Sequence, residues 1–332
     1  MSFVIDADEW DFNGLTEEQF HYRIDNILER IAVARERNEN VLVGNTLQSR
    51  SVFKNMDLWS FLFDPPEFEI SQEIKEELTS FFNTVEYYED NSQSWPPGFL
   101  EHDVLSNSGE KLGLDLSFIY FNIQDRQPFA CLTFNSLDSI EAISSNKKII
   151  IPYVRDECSH RGFWQNYALE IMRDTQENFQ FLSPHAYPDI FFRDEVWGQL
   201  HDFDGGYNSV KAQLKKYLSA LDSYGAWVFN TPPPLLNPQD TAIPIVEQTP
   251  SKQLIQERFQ GLALNISPEN PNVYEHRPSR EAREIVLEGK KLYCEWHAKL
   301  ELHRNRVHIH PPLQESNGKV IVAIFHRHLP LP

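Results

Sequence analysis

The chain has 332 residues, 41% hydrophobic and 24% charged, with 23 Phe, 12 Tyr and 7 Trp. This is the composition of a folded globular chain with room for one large core or two modest domains. Its formal charge of −19 opposes nucleic-acid binding by the chain as a whole. The acidic start (Asp6, Asp8, Glu9, Asp11), the lack of an 18-residue apolar run, and three cysteines without CxxC spacing (Cys131, Cys158, Cys294) argue against a secretion signal and a membrane span. They lead us to expect a reducing, cytoplasmic setting with no membrane partner.

Thr16 to about Arg37 reads as a helix, with a Thr16/Gln19 capping box and Phe20, Ile24, Ile27, Leu28 and Ile31 on one face. Val41 to Val43 reads as a short strand. Asp57 to Phe63 reads as an aromatic turn or short helix, stopped by Pro65-Pro66. Ser71 caps a second helix to Phe82, with Ile74, Leu78, Phe81 and Phe82 inward. Trp95-Pro-Pro-Gly98 is a rigid turn. Leu114 to Asn122, Phe129 to Phe134 and Lys148 to Val154 are strand candidates. Phe163 to about Phe179 is expected to be helical, Ser183 to Asp189 a loop, and Ser209 to Tyr224 a helix with Val210, Leu214, Leu218 and Leu221 inward.

Six prolines between Asn230 and Pro250 forbid a regular helix. This stretch is expected to be a linker at 231–250, with a rigid arm wrapped on one domain as the competing view. The division is then an acidic mixed domain, 1–230, and a β-rich domain, 251–332, which opens with a helix from Ser251 to Phe259. The fold class expected is α+β, a mixed α/β domain followed by a small antiparallel sheet packed on helix.

Charge is uneven between these parts. From His276 onward there are 10 Lys+Arg against 6 Asp+Glu, and 7 of the 12 His; the first 275 residues carry 20 basic and 43 acidic residues. Within Lys291 to His303 the even positions Leu292, Cys294, Trp296, Ala298, Leu300 and Leu302 are apolar and the odd ones polar, as in a half-buried strand. Arg306 to His310 and Lys319 to Phe325 read as two further strands, the latter after the Asn317-Gly318 turn. An antiparallel meander of the three would gather His297, Lys299, Arg306, His308 and His310 on one wet face, with His326 or His328 near.

Such a face suits RNA cleavage through the 2′-hydroxyl. His297, His308 and His310 are the acid/base candidates, and Lys299, Arg306 and Arg327 are the phosphate candidates. No cofactor is called for. A metal-dependent hydrolase is the alternative, with His308 and His310 on one strand, His297 on its neighbour and His326 or His328 completing the set. A third reading is a non-enzymatic subunit of a bacterial assembly, its aromatic surfaces being interfaces with a protein partner. Cys158, Ser159 and His160 are set aside, as is the Asp194, Glu195, His201, Asp202, Asp204 group.

Gly289 to Lys299, Arg306 to His310 and the strand from Gly318 to Phe325 together resemble the RelE/ParE-like toxin fold, over about residues 255 to 328. The resemblance implies a small sheet on N-terminal helices and, as in some members, metal-independent ribonuclease activity. It further implies a toxin–antitoxin or phage-defence role. The large acidic N-terminal part departs from that family, and its expected role is to restrain or shield the basic segment.

Overall fold

The computed structural model describes residues 2–65, 69–134, 136–241 and 248–332. The chain is an α+β protein that divides into two compact units between Asp174 and Thr175. Among the described residues no helix is long and apolar enough to cross a membrane. Cys131, Cys158 and Cys294 are free thiols.

In the first unit the strands are β1 (Ser2–Ile5), β2 (Asn40–Val43), a small hairpin β3 (Ser51–Phe53) and β4 (Met56–Asp57), β5 (Glu86–Tyr87), β6 (Leu105–Ser106), β7 (Phe129–Leu132), β8 (Ser139–Ser144) and β9 (Lys147–Val154). The helices are α1 (Glu17–Glu36), α2 (Thr46–Ser49), α3 (Leu58–Phe63), α4 (Gln72–Thr84), α5 (Leu114–Gln124), α6 (Glu157–Gly162) and α7 (Leu169–Met172), the last two joined by a π-helical segment, Phe163–Ala168. Seven strands form one sheet in the order β5-β2-β1-β7-β9-β8-β6. The five from β5 to β9 run parallel, and β8 and β6 extend the sheet antiparallel.

Local chemistry explains several of these elements. Thr16 caps α1 with the expected reciprocal bond to Gln19, and Ser71 caps α4. Asp57 caps α3. The expected strand over Leu114–Asn122 is instead α5, and eight consecutive residues, Asp115 to Asn122, are buried. A helix enclosed on all sides carries no apolar stripe, so its run of Leu, Phe, Ile and Tyr imitates a buried strand. The helix expected over Phe163–Phe179 is interrupted at Arg173, whose φ is 75°, before α8 (Gln176–Ala186) begins. α8 itself takes in Ser183–Ala186, which had been expected in a loop.

The second unit continues with β10 (Ile190–Phe192), α9 (Gly206–Asn230), α10 (Lys252–Gly261), β11 (Ile266–Pro268), α11 (Pro271–Glu275) and α12 (Arg277–Glu281). The strands β12 (Glu284–Leu287), β13 (Lys290–Tyr293), β14 (Trp296–Lys299), β15 (Arg306–His310) and β16 (Val320–His326) follow. A five-stranded sheet has the order β10-β16-β15-β14-β11, and β12 and β13 form a separate hairpin. The expected meander is present as β14-β15-β16. The single strand expected from Lys291 to His303 is two: the chain leaves the hairpin at Cys294-Glu295 and enters the larger sheet at Trp296.

The boundary also differs from expectation, because α9 belongs to the second unit. Its Gly225 lies so close to Val320 of β16 that an added Cβ would meet Val320 Cγ2 at 2.6 Å. The proline-rich stretch is no free linker over its described part. Buried Arg258 of α10 donates to the carbonyls of Val228, Thr231, Pro232 and Leu235 at 2.7–3.2 Å. Residues 242–247 of that stretch lie outside the described residues.

Candidate functional site

The strand register brings together most of the side chains that the sequence singled out. His297 lies opposite His308, and Lys299 opposite Arg306. The His297 and His308 rings are 5.7 Å apart, centroid to centroid. The surface they occupy is not wet, however. His308 is 1% exposed and Arg306 6%.

Both faces of this sheet are covered, which is why. On one, Trp296 packs against Phe229 of α9 and Phe259 of α10. On the other, Ile285 and Leu292 of the hairpin and Leu329 of the C-terminal tail cluster with Ile321 and Ala323. Arg283 pins that cover in place. It donates from Nη1 to the carbonyls of Ser279 and Pro330 and from Nε to Glu269 Oε1 at 2.6 Å.

This burial weighs against the expected chemistry. Arg306 spends its guanidinium on the carbonyls of Glu301, Leu302 and Arg304 at 2.6–2.9 Å, so it caps a turn and is not free to grip phosphate. Burial, reinforced by Lys299, Arg306 and Arg283, lowers the His297 pKa to about 3. Burial lowers His308 well below the ordinary imidazole range and lowers His310 as well. These rings are neutral at neutral pH and make poor general acids there. Glu269 Oε1 stands 3.6 Å from His297 Nδ1 and 4.0 Å from His308 Nδ1. Arg283 already occupies that oxygen. His310 Nδ1–H donates to the Pro311 carbonyl. Arg327 and His328 are exposed, and His328 Nδ1 bonds Leu329 O. Among the described residues no group of three His, Cys, Asp or Glu side chains stands ready to hold a metal ion.

A second constellation lies in the first unit, and sequence reading missed it. In an open parallel sheet, ligands bind in the crevice beyond the carboxyl ends of the strands, where the strand order reverses. Here that point is between β1 and β7, since β2 and β5 lie to one side and β9 to the other. Asp6 follows β1 directly. Asp8 and Glu9 lie in the 3-10 turn after it. Asp115 comes from the first turn of α5, and Tyr88 follows β5.

The bonds within this crevice are unequal. Asp115 is well held, accepting from Ala7 N at 2.9 Å and from the Tyr88 hydroxyl at 2.8 Å. Glu9 accepts from the Thr133 hydroxyl at 2.6 Å and from Phe134 N at 2.7 Å. Asp8 pairs with Arg50 at 2.8 Å. Asp6, 4% exposed, accepts from the Asp8 amide at 3.0 Å and faces no cation among these groups. Burial lifts its pKa to about 7, and Asp115, Glu9 and Asp8 add to the rise against the opposing Asp8 amide. Burial likewise lifts Asp115 to about 6, opposed by the Ala7 amide and the Tyr88 hydroxyl and increased by Glu89 and Asp8.

Two glycines make room for these carboxylates. A Cβ on Gly44, just past β2, would stand 2.5 Å from Asp115 Oδ1, and one on Gly113 would collide with Asp8 Oδ2. Neither glycine has a positive φ, so space decides both positions. One signal in the sequence could have found the site: an apolar run, Phe3-Val4-Ile5, that ends on Asp6.

Comparison of the chain with protein-family models, with curated proteins and with solved structures finds no match.

Proposed function

We propose that the protein is a divalent-cation-dependent nuclease, with RNA as its first substrate class, and that its reaction centre is the carboxylate crevice of the first unit. The observation that carries this reading is the pair Asp6 and Asp115. Both are buried at the point where the strand order reverses, and both are held in a state that opposes their own ionisation. Carboxylates gathered at a stability cost mark functional sites, and a bound cation is the partner that would relieve this one. Magnesium needs only one or two protein carboxylates, since water and substrate phosphate oxygens complete its octahedron. Asp6 and Asp115 are the two carboxylates that would face such a cation. A cation there would polarise a phosphoryl oxygen and lower the pKa of an attacking water.

The imbalance of charge supports the same reading. Up to Asp174 there are 14 Lys+Arg against 31 Asp+Glu, and from Thr175 onward 16 against 18. An acidic unit draws divalent cations to its surface, whereas it would repel a polyanion in their absence. The histidine face of the second unit remains the alternative reaction centre, favoured by the His297–His308 register and opposed by its burial.

The test uses the full chain and end-labelled single-stranded RNA and DNA, with manganese, magnesium or excess EDTA. The expected result is cleavage with the cations, none with EDTA, and none by Asp6→Asn or Asp115→Asn. His297→Asn should keep its activity. Cleavage that persists in EDTA and vanishes in His297→Asn would move the reaction to the second unit. No cleavage of either nucleic acid by folded protein with manganese would end the nuclease reading.

A further inference from the structure

A cavity of about 560 Å³ opens beside the crevice, with Asp8, Phe99, Leu100, His102, Lys111 and Leu114 in its lining. Asp8 is thus common to the cavity and to the carboxylate group. Two large apolar side chains in its wall are left to solvent, Leu100 at 57% and Leu114 at 48% exposed. Leu114 is the first residue of α5 and directly precedes Asp115. Leu100 has a φ of 67°, a left-handed backbone unfavourable for a branched side chain. The turn around it is closed by Phe99 N to Pro96 O and Glu101 N to Gly98 O. The chain therefore accepts local strain to hold an uncovered leucine next to the carboxylates.

The charges at the cavity are already matched. Lys111 pairs with Asp103 at 2.6 Å and Asp8 with Arg50 at 2.8 Å. A cavity whose wall mixes the apolar Phe99, Leu100 and Leu114 with paired charges and one exposed imidazole, His102, suits a flat, uncharged heteroaromatic body with polar edges better than an anion. We propose that it is the base-binding subsite for the nucleotide adjoining the scissile phosphate, the base lying against Leu100 and Leu114 with His102 at its edge. This deepens the nuclease reading and rests on it. Apolar and aromatic walls are how nucleic-acid enzymes hold an unstacked base. The volume lies within the range of pockets that enclose small molecules.

The experiment compares the full-length protein with a Leu100→Ser/Leu114→Ser double variant. Both side chains are exposed, so the fold is retained, and circular dichroism checks that it is. Three readouts are taken: steady-state cleavage of a labelled RNA oligomer with manganese, terbium luminescence as a report on the carboxylates, and saturation-transfer NMR with adenosine and uridine monophosphate. The subsite predicts a KM raised about tenfold, as for loss of one base contact, with kcat within about twofold and terbium binding unchanged. It also predicts that saturation of the base protons, present with wild type, is lost in the variant. An unchanged KM, or base protons saturated equally in both proteins, would overturn it. If wild type cleaves nothing, the nuclease reading fails and the NMR arm still decides the subsite. Saturation lost in the variant then upholds base binding, and no saturation with wild type ends it.

Discussion

Replacing Asp6 by Asn should make the protein more stable at alkaline pH and inactive. An aspartate has a pKa near 3.8 when unfolded, and Asp6 is raised to about 7 in the fold. The folded state therefore binds the proton more tightly. The contribution of Asp6 to stability is fully present below the unfolded pKa and is lost as pH rises through the folded one. A difference of about three pKa units corresponds to about 4 kcal/mol. Nearby Asp8, Glu9 and Asp115 share that strain, so roughly 2 kcal/mol is the expected gain once one charge is removed. Asn keeps the shape, and its carbonyl can still accept from the Asp8 amide. For a unit of 174 residues, about 2 kcal/mol corresponds to a Tm rise of roughly 4–8 °C. The assay is thermal and urea unfolding of wild type and Asp6→Asn at pH 5 and pH 8, without divalent cations. The gain from the substitution should be well under half as large at pH 5, where the unfolded aspartate is already mostly ionised but folded Asp6 keeps its proton, as at pH 8. Manganese should then raise the Tm of wild type and leave the variant unmoved. Equal effects of the substitution at both pH values, or destabilisation at pH 8, would refute the reasoning.

Further outcomes follow from other residues. His297, with a folded pKa of about 3, contributes stability above pH 6.5 that is lost as pH falls, about 2 kcal/mol by pH 5. In urea titrations at pH 7.5 and pH 5, His297→Gln should lose that much less than wild type. Gly44→Ala should displace the Asp115 carboxylate, cost about 1–3 kcal/mol and depress cleavage together with terbium binding. Arg258→Met should remove four carbonyl contacts, cost roughly 3 kcal/mol and speed limited proteolysis between residues 231 and 250. Arg306→Met should cost a similar amount, with RNA affinity of the folded fraction unchanged when measured by fluorescence anisotropy.

Much of the second unit was legible because its signals are local. Alternation through Leu292, Trp296 and Ala298 marks strand residues whatever surrounds them, and Asn317-Gly318 turns the chain with φ values of 53° and 74°. That register did bring His297 opposite His308. Solvent access to a strand face is another matter. The hairpin and the tail cover it, and no pattern within Arg306–His310 records their arrival. The proline-rich stretch left two readings open, a linker and an arm wrapped on one domain, for a related reason. Proline density excludes helix, but it is Arg258, far along the chain, that ties down the carbonyls of Thr231, Pro232 and Leu235.

The carboxylate crevice shows the division most plainly. Sequence alone determined the capped helices α1 and α4, the helix α10, the strands β2, β7, β9 and β16, and the acidity of the N-terminal part, since caps, periodicity and composition act through near neighbours. Only the tertiary structure put Asp6 beside Asp115, 109 positions on, with Gly44 and Gly113 making room. A parallel sheet joins strands by long crossovers, so the residues at one edge are remote in sequence. Their charges perturb one another only when the fold has closed around them.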